Sequence, residues 1–175
     1  RLLRALEYSR VLQAFADDLA LILAGCLLDH LRAMGQLYLN KCNQWCIAKG
    51  LKISTLKTQI IVFSRNRGIE IPKPIKLHGI EFEFANTIKF LGVYLDSKLN
   101  WNEHIHKTAE KCTNILFAAR RMVGTNWGLD PDKLLWTYKA LVRPVIAYAC
   151  TIWSPRILTV KSRINTLKKL ENLAL

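Results

Sequence analysis

No apolar run in this 175-residue chain approaches the ~20 residues that a membrane-spanning helix needs. The longest beyond residue 18 covers residues 19–28 and stops at Asp29, so no membrane span is expected. Cysteine is scarce as well. Five Cys, an odd number without regular spacing, exclude a disulfide framework and suit a reducing, intracellular setting. Cys42 and Cys46 lie four apart and His104 and His106 two apart, but no second pair stands at zinc-finger spacing. Buried free thiols explain the two cysteines better than metal ligation does. A signal peptide is also missing: Arg1 leads almost at once into a strand pattern, as in an internal slice of a longer polypeptide.

Acidic residues are the other shortage. Thirteen Asp and Glu face 26 Lys and Arg, giving a net charge of +13, so the expected partner is a polyanion, with nucleic acid the best fit. The cations are spread along the chain, for instance at Arg65, Arg67, Lys73, Lys76, Lys107, Lys111, Arg120, Arg121, Lys161, Arg163, Lys168 and Lys169. None of these groups is a dense run, so a generally basic, solvated surface is the alternative. What the chain does have is ample apolar content, 51%, enough for a packed core.

Against this background "VLQAFADDLALIL", residues 11–23, stands out because two adjacent carboxylates, Asp17 and Asp18, interrupt an apolar stretch. Burying an ionised carboxylate costs several kcal/mol, roughly, unless a cation or donors compensate it. The run is too long for one ordinary strand and reads as two short strands folded about the acidic pair. On the hairpin alone, Asp as a good turn residue accounts for both positions without any chemistry.

Beyond the hairpin, Leu31, Met34, Tyr38, Cys42, Trp45 and Cys46 recur at steps of three and four, which predicts an amphipathic helix over residues 29–49, stopped by Gly50. "KTQIIVFSR" then reads as a strand centred on Ile60, Ile61 and Val62. Hairpin, helix and strand in this order suit a helix packed on one face of a sheet, the two-layer α+β arrangement. A polar bridge, "SRNRGIEIPKP", follows, where Pro72 and Pro74 exclude a central strand. "IKLHGIEFEF" and "TIKFLGVYLD" read as a small β-meander, the latter a strand with its own Gly92. Ile105, Ala109, Cys112, Leu116, Ala119 and Val123 share one face of a helix ending near Gly124. Asp130 as N-cap with Pro131 behind it starts another, running toward Arg143 and Pro144. "RINTLKKLENLAL" closes the chain as a basic amphipathic segment.

Taken together, "FADDLALI", "WCIAKGLKI", "LKTQIIVFSR" and "IKFLGVYLD", in this order, resemble the reverse transcriptases of non-LTR retrotransposons, most closely the jockey-type elements. The resemblance continues through "NWNEHIHKTAEK", "NWGLDPDKLLWTYKALVRPVIAYACTIW" and "LKKLENLAL", covering essentially the whole chain. It implies an α+β partial polymerase palm followed by a mainly helical thumb. The implied division is palm over residues 1–64, a linker and primer-grip-like meander over 65–98, and thumb-like helices over 99–175. Phe15, Ala16, Asp17 and Asp18 take the places of the family's catalytic signature, with Asp17 and Asp18 as ligands of Mg²⁺ or Mn²⁺. Carboxylates suit such hard cations, and two ions about 3.5–4 Å apart can clamp the attacking and leaving oxygens of nucleotidyl transfer. Lys57 takes the place of a Lys beside the departing pyrophosphate, although Ser54, Thr55 and Leu56 stand where the family has Asn and Pro nearby.

Phe90, Leu91 and Gly92 correspond to a hairpin that holds the primer end, with sheet core the plain reading of Phe90 and Leu91. Lys107, Lys111, Arg120 and Arg121 would face template and primer phosphates, or simply water. The implied partners are an RNA template, a DNA primer and deoxynucleoside triphosphates, and the implied setting is cytoplasm and nucleus. The family's other catalytic Asp and its nucleotide-binding fingers lie upstream of the hairpin. Only ten residues precede Val11 here, Glu7 the sole acid among them, so the expectation is a C-terminal palm and thumb that does not polymerise alone. The competing expectation is a non-catalytic basic module that binds nucleic acid, with Asp17 and Asp18 reduced to turn residues.

Overall fold

A computed structural model describes residues 12–64, 73–122 and 130–174. It is α+β and divides into two compact units between Leu91 and Gly92. The bridge around Arg65, Arg67 and Pro72, the start of the hairpin at Val11, and the helix end at Val123 and Gly124 lie outside the described residues.

The first unit opens as the apolar pattern predicts. β1 (Leu12–Phe15) and β2 (Asp18–Leu21) pair antiparallel with Phe15 opposite Asp18, leaving Ala16 and Asp17 as the turn. Leu12 points inward and is buried with Tyr38 and Cys42 of α1 (Leu28–Ala48), while Leu21, Leu23, Met34 and Ile53 close around them. The three-and-four spacing of α1 thus meets the hairpin as one layer on another. Gly50, at φ +70°, ends the helix: its N–H reaches the Ile47 carbonyl at 3.0 Å and the Leu51 N–H reaches Cys46 at 2.8 Å. These are the paired bonds of a Schellman stop, which a residue without Cβ adopts at no steric cost.

The predicted strand over "KTQIIVFSR" is shorter than its β-branched run suggests. β3 is only Ile60–Ile61, and it pairs parallel with β6 (Phe84–Ala85) rather than extending through Val62 and Phe63. β4 (Ile75–Leu77) and β5 (Ile80–Phe82) form the expected antiparallel hairpin, with His78 and Gly79 at its turn. Side chains of α1 secure β4. A Cβ on Gly35 would come within 3.1 Å of Ile75 Cδ1, and Gln36 exchanges two bonds with the Lys76 backbone, Nε2 to its carbonyl at 2.7 Å and its N–H to Oε1 at 2.8 Å. The amide of Gln36 therefore does for this strand what a neighbouring peptide would do. The single strand expected over "TIKFLGVYLD" is two: β7 (Thr87–Phe90) ends the first unit and β8 (Val93–Asp96) begins the second.

The second unit is built on α2 (Asn102–Arg120). Val93, Trp101, Ile105, Trp153 and Ile157 form one buried cluster, and Cys112, Leu116 and Val142 another, with Leu167 touching both. Helix α3 (Pro131–Thr137) begins at Pro131 as predicted, but the chain does not stop at Pro144. It passes through a π turn at Tyr138–Val142 into α4 (Arg143–Ala147). An α-helix would press the Pro144 ring against the Ala140 carbonyl, and the wider turn, in which the Arg143 N–H bonds to Tyr138, relieves that conflict. α5 (Cys150–Ile157) and α6 (Lys161–Ala174) complete the unit. No helix among the described residues is long and apolar enough to cross a membrane.

Candidate active site

The hairpin tip holds the acidic pair. Ala16 adopts φ +51°, a left-handed conformation that costs an alanine roughly 1 kcal/mol and that a two-residue hairpin turn often requires. Its effect is to fold β2 back at once, so that Asp17 occupies the corner and Asp18 the first strand position. Both side chains are exposed, as is Phe15. The expectation that burial would demand compensation is therefore not met: within these residues water reaches both acids.

Neither carboxylate has a cation beside it among the described residues, and Lys57 forms no ion pair with either. Lys57 lies exposed in a tight turn, Thr55 to Lys57, which the Ser54 carbonyl closes by accepting the Thr58 N–H at 3.1 Å and the Thr58 Oγ1 at 2.7 Å. Two sequence-adjacent carboxylates that pair with no cation among the described residues suit Mg²⁺, which typically binds through one or two carboxylates and leaves the rest of its shell to phosphates and water. Among the described residues no group of three His, Cys, Asp or Glu stands together in a way that could hold a metal ion.

Phe90 is half-buried at the end of β7, and Leu91 with Gly92 makes the turn, at φ +46° and +80°. Gly92 also lies against Tyr148, whose Cε1 would stand 3.3 Å from an added Cβ. Sequence spacing offered no hint of this pairing, since the two residues sit on separate elements. Lys107 and Lys111 are exposed one turn apart on α2 and line a shallow open hollow with Asn114 and Ala118. Glu110 partly neutralises Lys107, 3.4 Å from its Nζ. Arg120 and Arg121 are exposed at the far end of the same helix. Of these residues, the structure places Lys107 and Lys111 on one common hollow. Asp17, Asp18, Lys57, Phe90 and Leu91 belong to the first unit, and Gly92 and the four cations to the second.

Three buried groups carry shifted titration. Burial pushes the Cys42 thiol up, with Cys46 adding to the effect, and burial likewise raises Cys112. Such thiols are inert rather than nucleophilic. His104 is buried among Tyr94, Trp101 and Trp153 and its pKa is lowered by desolvation. It had been visible in sequence only as half of a weak His pair.

No protein-family model matches the chain, and no solved structure matches it at a significant level. Curated relatives do match. A Pol polyprotein of the type-1 retrotransposable element R1 from Bradysia coprophila is 24% identical over 80% of this chain and 14% of its own length. The probable RNA-directed DNA polymerase from transposon BS of Drosophila melanogaster is 26% identical over 94% of the chain and 18% of the relative. The RNA-directed DNA polymerase from mobile element jockey of Drosophila funebris is 24% identical over 92% of the chain and 17% of its own. The chain is homologous to non-LTR retrotransposon polymerases. It spans less than a fifth of the length of these three retrotransposon proteins. The identity is modest, and each match covers most of the chain.

Proposed function

We propose that these residues form the C-terminal palm and the thumb of an RNA-directed DNA polymerase, with the FADD hairpin as part of its active site. The observation that carries this reading is the hairpin tip, where a left-handed Ala16 leaves Asp17 in the turn and Asp18 at the start of β2, both exposed and, among the described residues, without an ion-pair partner. Homology to retrotransposon polymerases over most of the chain supports it.

In this reading Asp17 and Asp18 hold divalent metal and Lys57 offers positive charge, and a proton, to the departing pyrophosphate. When bound, such ions lower the charge cost of phosphoryl transfer at the attacking and leaving oxygens. The turn at Leu91 and Gly92 brings backbone rather than side chain to the primer end, and Lys107, Lys111, Arg120 and Arg121 take backbone phosphates without reading sequence. The partners are an RNA template, a DNA primer and deoxynucleoside triphosphates, and the setting is intracellular, in cytoplasm and nucleus. The 175 residues alone do not polymerise in this reading, because two neighbouring carboxylates on one hairpin lack the acid that a second strand supplies.

Mn²⁺ binding to the 175-residue chain, followed by electron paramagnetic resonance, tests the metal role without requiring turnover. Binding that weakens when Asp17 is changed to Asn supports it. Equal binding by both chains makes Asp17 a turn residue and the chain a non-catalytic nucleic-acid-binding module.

A further inference from the structure

The segment running through α3, the π turn and α4 carries a surface that the site above leaves unused. Val142 is fully buried, and Tyr138, Val145 and Ile146 pack toward Cys112 and Leu116, which fixes the side that faces the core. Away from that side, Lys133, Trp136, Lys139 and Arg143 recur at steps of three, three and four, and all four are exposed. Lys133 and Trp136 are neighbours by α-helical spacing on α3, and Lys139 and Arg143 follow in the π turn and at the start of α4. The Trp136 indole is 69% exposed, in a residue type that is highly buried on average. Asp130 and Asp132 stand at the start of α3, and no acid follows in the segment through Ala147. An exposed indole thus lies in a segment whose charged side chains after Asp132 are all cations, Lys133, Lys139 and Arg143.

We propose that this flank is a track for single-stranded nucleic acid, in which Trp136 stacks on an unpaired base while Lys133, Lys139 and Arg143 take the neighbouring phosphates. Both halves of the ligand are matched: the indole supplies a flat π-face and the three cations supply charge, in a chain of net charge +13. A duplex fits less well, because its bases are stacked on one another and offer the indole no face. The inference rests on the polymerase reading, since a template must be unpaired to be copied. It adds to that reading a site and a strand preference.

The test is fluorescence anisotropy of the 175-residue chain with a labelled oligothymidylate and with a duplex of equal length, each across a salt series. Trp136→Ala is expected to weaken oligothymidylate binding about tenfold, as for the loss of one stacked base, and to leave duplex binding unchanged. Trp136→Phe keeps most of the affinity. Changing Lys139 and Arg143 together to Gln lowers the slope of log affinity against log salt by about 1.4 on the single strand. Unaltered circular dichroism of each variant shows that folding is not the cause, as expected for exposed side chains. Oligothymidylate binding that is indifferent to Trp136→Ala, or lost equally for both probes, overturns the track alone. No binding of either probe by the unsubstituted chain overturns the polymerase reading and the track with it.

Discussion

The Asp96 carboxylate accepts the Trp101 N–H at 2.7 Å, and that bond holds the entry to helix α2. Asp96 also accepts the N–H groups of Asn100 at 2.9 Å and Lys98 at 3.1 Å. The loop needs this support because Leu99 and Trp101 both lie at positive φ, +50° and +66°, which side-chain-bearing residues adopt only at a cost. Asp96→Ala strands three donors and leaves that strain unopposed. A loss of about 3 kcal/mol is expected, read as a lower midpoint in urea at unchanged slope. Asp96→Asn keeps an acceptor and should lose less.

Gly92 is under two constraints at once, a φ of +80° and the ring of Tyr148 beside it. Gly92→Ala should cost about 1–2 kcal/mol, from the left-handed backbone and from displacing the ring. Adding Tyr148→Ala removes the steric part only, so the double variant should recover a fraction of the loss. Full additivity in thermal unfolding would show that the two residues do not press on each other.

His104 makes the stability of the second unit depend on pH. Burial lowers its folded pKa below the ordinary value of 6.5, so the folded state resists a proton that the unfolded chain accepts. Tyr94 is the titratable group beside it, and the other rings against it are Trp101 and Trp153. Stability is therefore present in full above about pH 6.5 and declines as the pH falls toward the folded pKa. Denaturant titrations between neutral and mildly acidic pH should show this decline, and His104→Gln should flatten it over that window.

Much of this arrangement was readable in the residues themselves, because its signals are local. The acidic pair interrupting an apolar run marked the hairpin, the three-and-four steps from Leu31 to Cys46 marked α1, and Asp130 with Pro131 marked the start of α3. What escaped depends on distant neighbours. Nothing in "IIVF" announces that only Ile60 and Ile61 find a partner, or that the partner is Phe84 and Ala85 in parallel. The π turn before Pro144 has no sequence signature, and the Gln36 amide meets Lys76 only because α1 lies on β4. The place of the acids at the hairpin tip was legible, but their exposure was not, since burial is set by what surrounds a hairpin rather than by the hairpin's own residues.

Lys57 is expected to act on the transition state more than on substrate binding. In a polypeptide extended upstream to restore polymerisation, Lys57→Gln should lower kcat by about 10²-fold with a small change in KM for the nucleotide. A change confined to KM would assign Lys57 to binding instead.

The most direct test of the polymerase reading is RNA-templated primer extension with Mg²⁺ by that extended polypeptide, beside its Asp17→Asn form and the 175-residue chain alone. The prediction is synthesis by the extended polypeptide only. Equal synthesis by the Asp17→Asn form would contradict the role given to the hairpin.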